Sequence, residues 1–228
     1  MKRVLLSWSS GKDSAWTLHK LRLRGDCEVV GLLTTLNSEF DRVAMHGTRR
    51  SILEAQAEAA GIPLWSVPLP WPCSNEQYEE RMATVCGRAV QEGVEAVAFG
   101  DLFLEDIRAY REKQLKNTSL EPLFPLWQIP TDTLAREMID GGLRTRIVCV
   151  DTKQLPAEFV GREFDRQFLD DLPQGVDPCG ERGEFHTCVY GGPMFKASLP
   201  VQSGEIVIRD GFAFADLALD VTATVSGS

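Results

Sequence analysis

A polar segment near the amino terminus has the residue types of a phosphate-binding turn. It combines small or hydroxyl side chains with one lysine and one aspartate: Ser7, Ser9, Ser10, Gly11, Lys12, Asp13 and Ser14. Small residues let successive backbone amides face one anion, and a helix beginning here adds the positive end of its dipole. Lys12 supplies a mobile charge, and the Ser9 and Ser14 hydroxyls can donate to phosphate oxygens. The segment therefore predicts a nucleotide site in which Asp13 helps to hold Mg²⁺.

This segment is not a Walker A loop. That loop has a glycine five residues before its Gly-Lys pair and a Ser or Thr directly after the lysine. Leu6 and Asp13 occupy those positions here. A serine-rich helix cap without a ligand is the alternative interpretation. A strand, a polar turn and a Lys-Asp-Ser helix start coincide, which favours the nucleotide site.

Three further positions are candidates for contact with the nucleotide. Asp101 follows an apolar strand, where ligands bind in α/β sheets, although it could instead cap the next helix. Arg108 lies one helical turn from Glu105, so these two residues could simply pair; alternatively, Arg108 or Arg111 meets a phosphate or the substrate carboxylate. His46 lies in a loop beside Gly47, and a loop histidine is well placed to touch a ligand.

A second polar cluster lies in a glycine-rich loop far along the chain. Glu181, Glu184 and His186 are close together there. Carboxylates beside an ammonium site can bind the cation and accept its proton before attack, whereas the plain alternative is a solvated loop. Cys179 and Cys188 lack the paired spacing of a zinc site, so we interpret them as structural or as lying beside the substrate.

The turn from Ser9 to Ser14 resembles the SGGxDS loop of the N-type ATP pyrophosphatases, which cleave ATP to AMP and pyrophosphate. Ser10 stands where that family has its first glycine, so a positive φ there would be strained. Segments 44–47 (AMHG), 100–108 (GDLFLEDIR) and 177–187 (DPCGERGEFHT) are similar to the diphthine–ammonia ligase family, particularly its short bacterial-type members. The resemblance extends to about Phe195.

The resemblance implies an amide-forming enzyme with ATP and Mg²⁺ as cofactors. Characterised family members activate a carboxylate on a modified histidine of an elongation factor as an acyl-adenylate, and ammonia then displaces AMP. Residue 2 is Lys2 rather than a cysteine, so free ammonium is the expected nitrogen donor. The acceptor is an unidentified carboxylate, either on a small molecule or on a protein. The residues that this chemistry assigns to catalysis are Lys12, Asp13, Glu181, Glu184 and His186.

Two alternatives belong to other classes of protein. One is an enzyme that adenylates a tRNA base for sulfur transfer, which usually requires a cysteine pair and a basic surface. The other is a nucleotide-binding regulatory module without turnover. Lys12, Asp13 and the acidic loop favour turnover.

Charge and composition restrict the partners. The 228-residue chain has 33 acidic and 24 basic residues, a net charge of −9, which disfavours broad nucleic-acid binding and anionic membranes. A local basic groove would have to come from Arg42, Arg49, Arg50, Arg108 and Arg111. No apolar run reaches membrane-spanning length, and no secretory signal is visible, so we expect a cytoplasmic protein with reduced cysteines. The oligomeric state is not readable.

Alternating apolar runs and helical segments predict a doubly wound, parallel α/β domain of the Rossmann-like class. The expected strands are 3–8, 28–35, 64–68, 94–99 and 144–150, and the expected helices include 14–24, 49–60, 105–115 and 132–139. Glycines at 25, 61, 93 and 141 end four helices because the turn off a helix needs a left-handed backbone. Ser74 and Gln77 fit a capping box.

The alternation of strands and helices stops after residue 152. We therefore expect the chain to divide into a nucleotide-binding domain, 1–152, and a small α+β lobe, 153–228. In the lobe, 159–172 is expected to be helical, and 205–209 and 212–215 form a β-hairpin around Asp210-Gly211. The lobe would cover the site and keep water from an acyl-adenylate.

Overall fold

A computed structural model of the chain describes residues 1–43 and 47–220. Its strands are β1 (Lys2–Ser7), β2 (Cys27–Asn37), β3 (Arg42–Val43), β4 (Leu64–Leu69), β5 (Ala96–Ala98), β6 (Glu121–Leu123), β7 (Arg144–Asp151), β8 (Phe185–Gly191), β9 (Val201–Arg209) and β10 (Phe212–Leu219). Its α-helices are α1 (Lys12–Arg24), α2 (Arg50–Ala60), α3 (Asn75–Gln91), α4 (Glu105–Leu115), α5 (Thr131–Asp140) and α6 (Arg166–Asp171).

The first sheet is parallel and has β1 at its centre. β1 pairs with β2 on one side and with β5 on the other, and β4 and β6 extend the sheet outward from these two. The short β3 pairs antiparallel with the end of β2. The chain therefore changes direction across the sheet at β1, and the loop after such a strand is where α/β sheets bind ligands.

Apolar side chains cover both faces of this sheet, as the continuous apolar strands predict. Val4 and Leu6 of β1 point into a core that includes Trp16 of α1. Leu5 points to the opposite face, where it belongs to a second core with Ala89 of α3. The doubly wound arrangement is confirmed, and it fixes the carboxyl end of β1 between two packed layers.

The second sheet is antiparallel, in the order β8-β7-β10-β9. The expectation that 144–150 closes the parallel series is wrong, because Arg144–Asp151 pairs antiparallel with both β8 and β10. An apolar run of this length is compatible with either sheet, so the pattern alone did not choose between them. The division of the chain at residue 152 stays a prediction, but the second sheet already begins at Arg144.

Several local predictions can be compared with the described residues. The capping box at Ser74 and Gln77 is confirmed, as is the hairpin around Asp210-Gly211. The helix expected over 159–172 is wrong: a 3₁₀ turn, 157–159, is followed by the short α6. Gly141 has a φ of −76°, so the left-handed residue after α5 is Gly142 instead. No helix in the described ranges is long and apolar enough to cross a membrane.

Candidate active site

The polar turn after β1 is fastened to three other parts of the chain through Ser10. This residue is fully buried and has a φ of 70°, the positive value at which serine is strained. Its hydroxyl lies 2.8 Å from the Thr48 hydroxyl. Its carbonyl accepts from Gln56 Nε2 of α2 at 3.1 Å and from the Val189 amide of β8 at 3.0 Å. The strained backbone is therefore held by several hydrogen bonds.

The start of α1 is bonded directly to the second sheet. The Lys12 amide donates to Thr187 Oγ1 of β8 at 3.0 Å. Gly11 lies against the same residue, and a Cβ at Gly11 would come within 3.3 Å of the Thr187 carbonyl oxygen. Since the first amides of a helix have no partner within the helix, Thr187 satisfies one of them and orients the turn.

Lys12 and Asp13 form a buried ion pair at this turn. Lys12 Nζ lies 2.9 Å from Asp13 Oδ2, and the Lys12 side chain is only 3% exposed. Burial alone would lower the pKa of Lys12, but attraction to Asp13 raises it overall. Burial raises the pKa of Asp13 despite the opposing effect of Lys12. The other carboxylate oxygen, Asp13 Oδ1, is buried and accepts no hydrogen bond from the described residues.

Serine hydroxyls of the turn bond within the turn, and two of these serines also border a cleft. Ser14 Oγ donates to the Gly11 carbonyl at 3.0 Å and lies 3.3 Å from Ser9 Oγ, so these hydroxyls also bond within the turn. Ser7, at the end of β1, and Ser9 both line an adjoining cleft. The described contacts thus leave Ser7 and Ser9 facing the space where a ligand would lie.

Asp101 is placed beside the turn by the close approach of β5 to α1. A Cβ at Gly100 would lie 3.0 Å from the Asp13 carbonyl carbon, so only glycine fits there without displacement. Asp101 does not cap α4, because the N-cap position is Leu104. It forms an ion pair of 3.5 Å with Arg111. Burial raises the pKa of Asp101, against the influence of Arg111.

Arg108 is held away from the turn by contacts of its own. Its Nε donates to Glu112 Oε1 at 2.8 Å rather than to Glu105, and its guanidinium lies 4.8 Å from the ring centroids of Phe124 and Trp127. The five arginines considered for a basic groove are each paired with a carboxylate: Arg42 and Arg49 with Asp216, Arg50 with Asp41, Arg108 with Glu112, and Arg111 with Asp101.

The glycine-rich loop before β8 is organised by two buried carboxylates. Glu184 Oε1 accepts from the Asp177 amide at 3.0 Å, and Oε2 accepts from the Arg182 amide at 2.9 Å. Asp177 Oδ1 accepts from the Cys179 amide at 2.9 Å, and Oδ2 accepts from the Thr131 hydroxyl at 2.7 Å. Both oxygens of Glu184 are therefore engaged in holding the loop itself.

Glu181 is the carboxylate of this loop that the structure brings to the turn. Its Oε1 accepts from the Leu102 amide at 2.8 Å, which places it at the carboxyl end of β5 beside Asp101. The pKa of Glu181 is raised to about 7, mainly by burial. The charges of Asp13 and Asp101 contribute to this rise, whereas the Leu102 amide and Lys12 oppose it. A carboxyl group with a pKa near neutrality can both accept and release a proton under physiological conditions.

His186 and the nearby cysteines are buried in their uncharged forms. Burial lowers the pKa of His186 to about 4, and Lys12 contributes in the same direction, so the imidazole is neutral at pH 7. Burial raises the pKa of the Cys188 thiol to about 12 and that of Cys179 still further. Cys179 Sγ donates to the Thr131 carbonyl. All six cysteines are thiols without disulfide partners, and these two are protonated and unreactive.

A large cleft begins at the turn and runs along the carboxyl ends of β1, β2 and β5. Its volume is about 1130 Å³, and Ser7, Ser9 and Phe99 line the end nearest the turn. Thr34 of β2 also lines it, and the Thr34 hydroxyl is buried without a partner among the described residues. Arg111 reaches the cleft from α4. A ligand pocket of this size, with hydroxyl groups and the cationic residues Arg111 and Lys113 in a mainly apolar wall, is suited to a nucleotide.

The structure thus brings together most of the residues that the sequence singled out. Glu181 lies within electrostatic range of Lys12, Asp13 and Asp101, and His186 lies within range of Lys12. Arg108 and Glu184 lie in contacts of their own, and His46 falls outside the described residues. Sequence reasoning missed the supporting residues Thr48, Gln56 and Thr187 as parts of the site. No local motif marks Thr48 or Gln56, and segment 177–187 gives no separate role to Thr187, so the fold was needed to identify these contacts.

Two models of a known protein family match most of the chain. The family model of the diphthamide synthase N-terminal domain matches residues 1–122, and that of the diphthamide synthase C-terminal domain matches residues 130–220. The chain belongs to the diphthine–ammonia ligase family. Human diphthine–ammonia ligase is 27% identical over 238 residues, covering 95% of this chain and 89% of the human protein. The Bos taurus and Mus musculus ligases are 27% and 26% identical, with the same coverage.

Membership of the diphthine–ammonia ligase family decides between the classes considered from the sequence. The protein is an enzyme, an ATP-dependent ligase, and not a regulatory module without turnover. The geometry also argues against sulfur transfer, because the two cysteines nearest the turn are buried thiols with raised pKa values. Family membership therefore supports the use of ATP by this protein.

Proposed function

We propose that the protein couples cleavage of ATP between the α and β phosphates to amidation of a carboxylate by ammonia. The carboxylate attacks the α phosphate, forming an acyl-adenylate and releasing pyrophosphate; ammonia then attacks the acyl carbon, AMP leaves and one proton is released. Relatives are named for diphthine and ammonia, so we assign a carboxylate of the diphthine type as the acceptor. The cytoplasm is the compartment in which we place this reaction.

One observation carries the proposal: Glu181, with a pKa of about 7, lies in electrostatic contact with the Lys12–Asp13 pair of the ATP site. Ammonium must lose a proton before it attacks, and Glu181 is the carboxyl group placed to accept it. We assign Glu184 a positioning role, because its two oxygens hold the loop that carries Glu181. Neutral His186 would exchange hydrogen bonds with the reacting groups without adding charge.

The turn itself would bind the phosphates of ATP. The Ser10 amide and the Lys12 ammonium group would face a leaving pyrophosphate, where preorganised donors have most effect, whereas the Lys12 amide is already bonded to Thr187. Ser7, Ser9 and Ser14 would add hydroxyl contacts, and the adenosine would extend along the cleft past Thr34. Arg111 and Asp101, rather than Arg108, would contact the acceptor side of the nucleotide. His46 stays a proposed nucleotide contact.

Mg²⁺ fits one residue of the turn. Asp13 Oδ1 is a buried carboxylate oxygen without a partner among the described residues, which is the donor type that Mg²⁺ prefers. Within 1–43 and 47–220, no group of three or more His, Cys, Asp or Glu side chains is arranged to hold a metal ion. We therefore assign Asp13 as one protein ligand, with phosphates and water completing the shell; the ion would neutralise charge on the phosphates.

An isotope experiment tests the proposal. The acceptor carboxylate is labelled with ¹⁸O and incubated with protein, ATP, Mg²⁺ and ammonium, and the products are identified by mass spectrometry. One ¹⁸O atom should pass from the carboxylate to AMP, because the acyl-adenylate retains the bridging oxygen. ADP with labelled phosphate would instead indicate an acyl phosphate and overturn the proposed mechanism.

The Lys12→Met variant tests the role that we assign to the Lys12 charge. It keeps the length and apolar contacts of a side chain that is 3% exposed but removes its charge, so kcat should fall about 100- to 1000-fold, as when a transition-state donor is lost. Lys116→Met, after the end of α4, is the control and should retain activity. Equal losses in the two variants would show that the assignment of Lys12 is wrong.

A further inference from the structure

The outer edge of the second sheet exposes an apolar strand. β9 pairs only with β10 among the described strands, so its other edge has no backbone partner there. Three consecutive aliphatic residues on β9 are exposed: Ile206 by 59%, Val207 by 47% and Ile208 by 65%. Proteins usually protect such an edge with charge, proline or a covering segment, because an uncovered apolar edge recruits another strand.

The sequence of this edge is complementary to itself. Residues 205–209 read Glu-Ile-Val-Ile-Arg, with opposite charges at the two ends of an apolar centre. When two copies lie antiparallel with Val207 opposite Val207, Ile206 meets Ile208 and Glu205 meets Arg209. Cross-strand pairs of opposite charge and of β-branched residues both stabilise antiparallel pairing.

The backbone directions agree with the same alignment. β10 pairs with β9 in the register Arg209↔Phe212 and Val207↔Phe214, across the two-residue turn Asp210-Gly211. Residues in an antiparallel strand alternate between neighbours, so the amide and carbonyl groups of Ile206 and Ile208 point to the free edge. In the alignment centred on Val207, those are the groups that would exchange hydrogen bonds with the second copy.

We propose that β9 is a homodimer interface, in which it pairs antiparallel with β9 of a second copy and joins two four-stranded sheets into one of eight strands. The pairing is two-fold symmetric and closed, so it covers both free edges and does not extend into a fibre. It does not depend on the proposed function. The charges at the ends fix the register, since a slip of two residues would separate Glu205 from Arg209.

The mass in solution tests this directly. In light scattering coupled to size-exclusion chromatography, the mass of the full chain should reach twice 25.3 kDa as the protein concentration is raised to about 100 µM. A high concentration is needed because a small interface associates weakly. Val207→Lys places two like charges at the symmetry axis and should give a monomer. Leu23→Lys, at a residue of α1 that is 69% exposed, is the matched control and should remain a dimer.

A charge exchange tests the register. Glu205→Arg and Arg209→Glu should each raise the dimer Kd about tenfold or more, because each creates two like-charged pairs. The double variant E205R/R209E should return Kd to within about threefold of the original value, because the pairs are attractive again. Arg209 also lies 4.9 Å from the Phe214 ring centroid, so thermal melts of all three variants separate loss of folding from loss of pairing.

Three results would overturn the proposal. A monomeric full chain at the highest concentration would do so, as would a dimer that survives Val207→Lys, since its interface would lie elsewhere. A monomeric full chain whose shortened form, ending at Asp220, dimerises would show that residues 221–228 cover the edge instead. Hydrogen exchange supplies an independent measure: the Ile206 and Ile208 amides should become protected as concentration rises, and unchanged exchange at these amides would contradict the pairing.

Discussion

Glu181→Gln should make the enzyme more stable and less active at the same time. The carboxyl group has a pKa of about 7 instead of the ordinary 4.5 because it is buried near Asp13 and Asp101. At pH 8 the Glu181 carboxylate of the native protein is therefore ionised in surroundings that disfavour its negative charge. Glutamine has the same shape, and its oxygen can still accept from the Leu102 amide, but it carries no charge.

The size of the effect follows from the two pKa values. Between about pH 4.5 and 7, the native state holds a proton that the unfolded chain has released, so the free energy of unfolding falls as pH rises. This loss of stability is absent below pH 4.5 and complete above pH 7. Its full size, from the difference between the two pKa values, is about 3 kcal/mol. We expect Glu181→Gln to raise the free energy of unfolding by about 1–3 kcal/mol at pH 8 and to leave it unchanged near pH 4.5.

Urea unfolding at several pH values, with amide formation measured alongside, checks both parts. The rate of amide formation at pH 8 should fall by about 100-fold or more, the usual contribution of a general base. Glu184→Gln is the matched control: glutamine cannot accept from both the Asp177 and Arg182 amides, so stability should fall at every pH. A Glu181→Gln protein with unaltered pH dependence of stability would refute the reasoning, whatever its activity.

Two predictions concern the residues that support the proposed ATP site. Ser10→Gly should change stability little, because relief of about 1–2 kcal/mol of backbone strain at φ 70° offsets the lost Thr48 hydrogen bond, whereas Ser10→Ala, which keeps the strain, should lose about 1–3 kcal/mol in urea unfolding. A large loss in the glycine variant would contradict this balance. Thr187→Val removes the acceptor of the buried Lys12 amide and should cost about 1–3 kcal/mol while raising the KM for ATP; an unchanged KM would show that the bond does not orient the turn.

The elements around the ATP site were predictable because their signals are local. A strand, a polar turn and a helix start lie within a dozen residues, and the turn after β1 has the predicted form. The left-handed backbone at Ser10, which the substitution of serine for glycine brought into question, is present. The hairpin around Asp210-Gly211 was predictable for the same reason, since its turn chemistry and its flanking strands are contiguous.

The sequence predictions failed where the outcome depends on contacts between residues that are far apart in the chain. The apolar run of β7 has the same composition as a central parallel strand, and only its partners β8 and β10 place it in the second sheet. Glu181 and Glu184 are three residues apart in one loop, and nothing in the residue types separates a carboxylate at the ATP site from one that holds the loop. Thr187 is an ordinary strand residue whose role depends on a contact 175 residues away.

That contact has a consequence for how such a chain can be rebuilt. The Ser10 carbonyl and the Lys12 amide find their partners on β8, inside the segment matched by the C-terminal family model. A hybrid that joins the first 122 residues of one ligase to the remainder of another would therefore pack the turn after β1 against a β8 strand from a different protein. When halves are exchanged between relatives, segments 9–12 and 187–189 should therefore be transferred together, although about 175 residues separate them in the sequence.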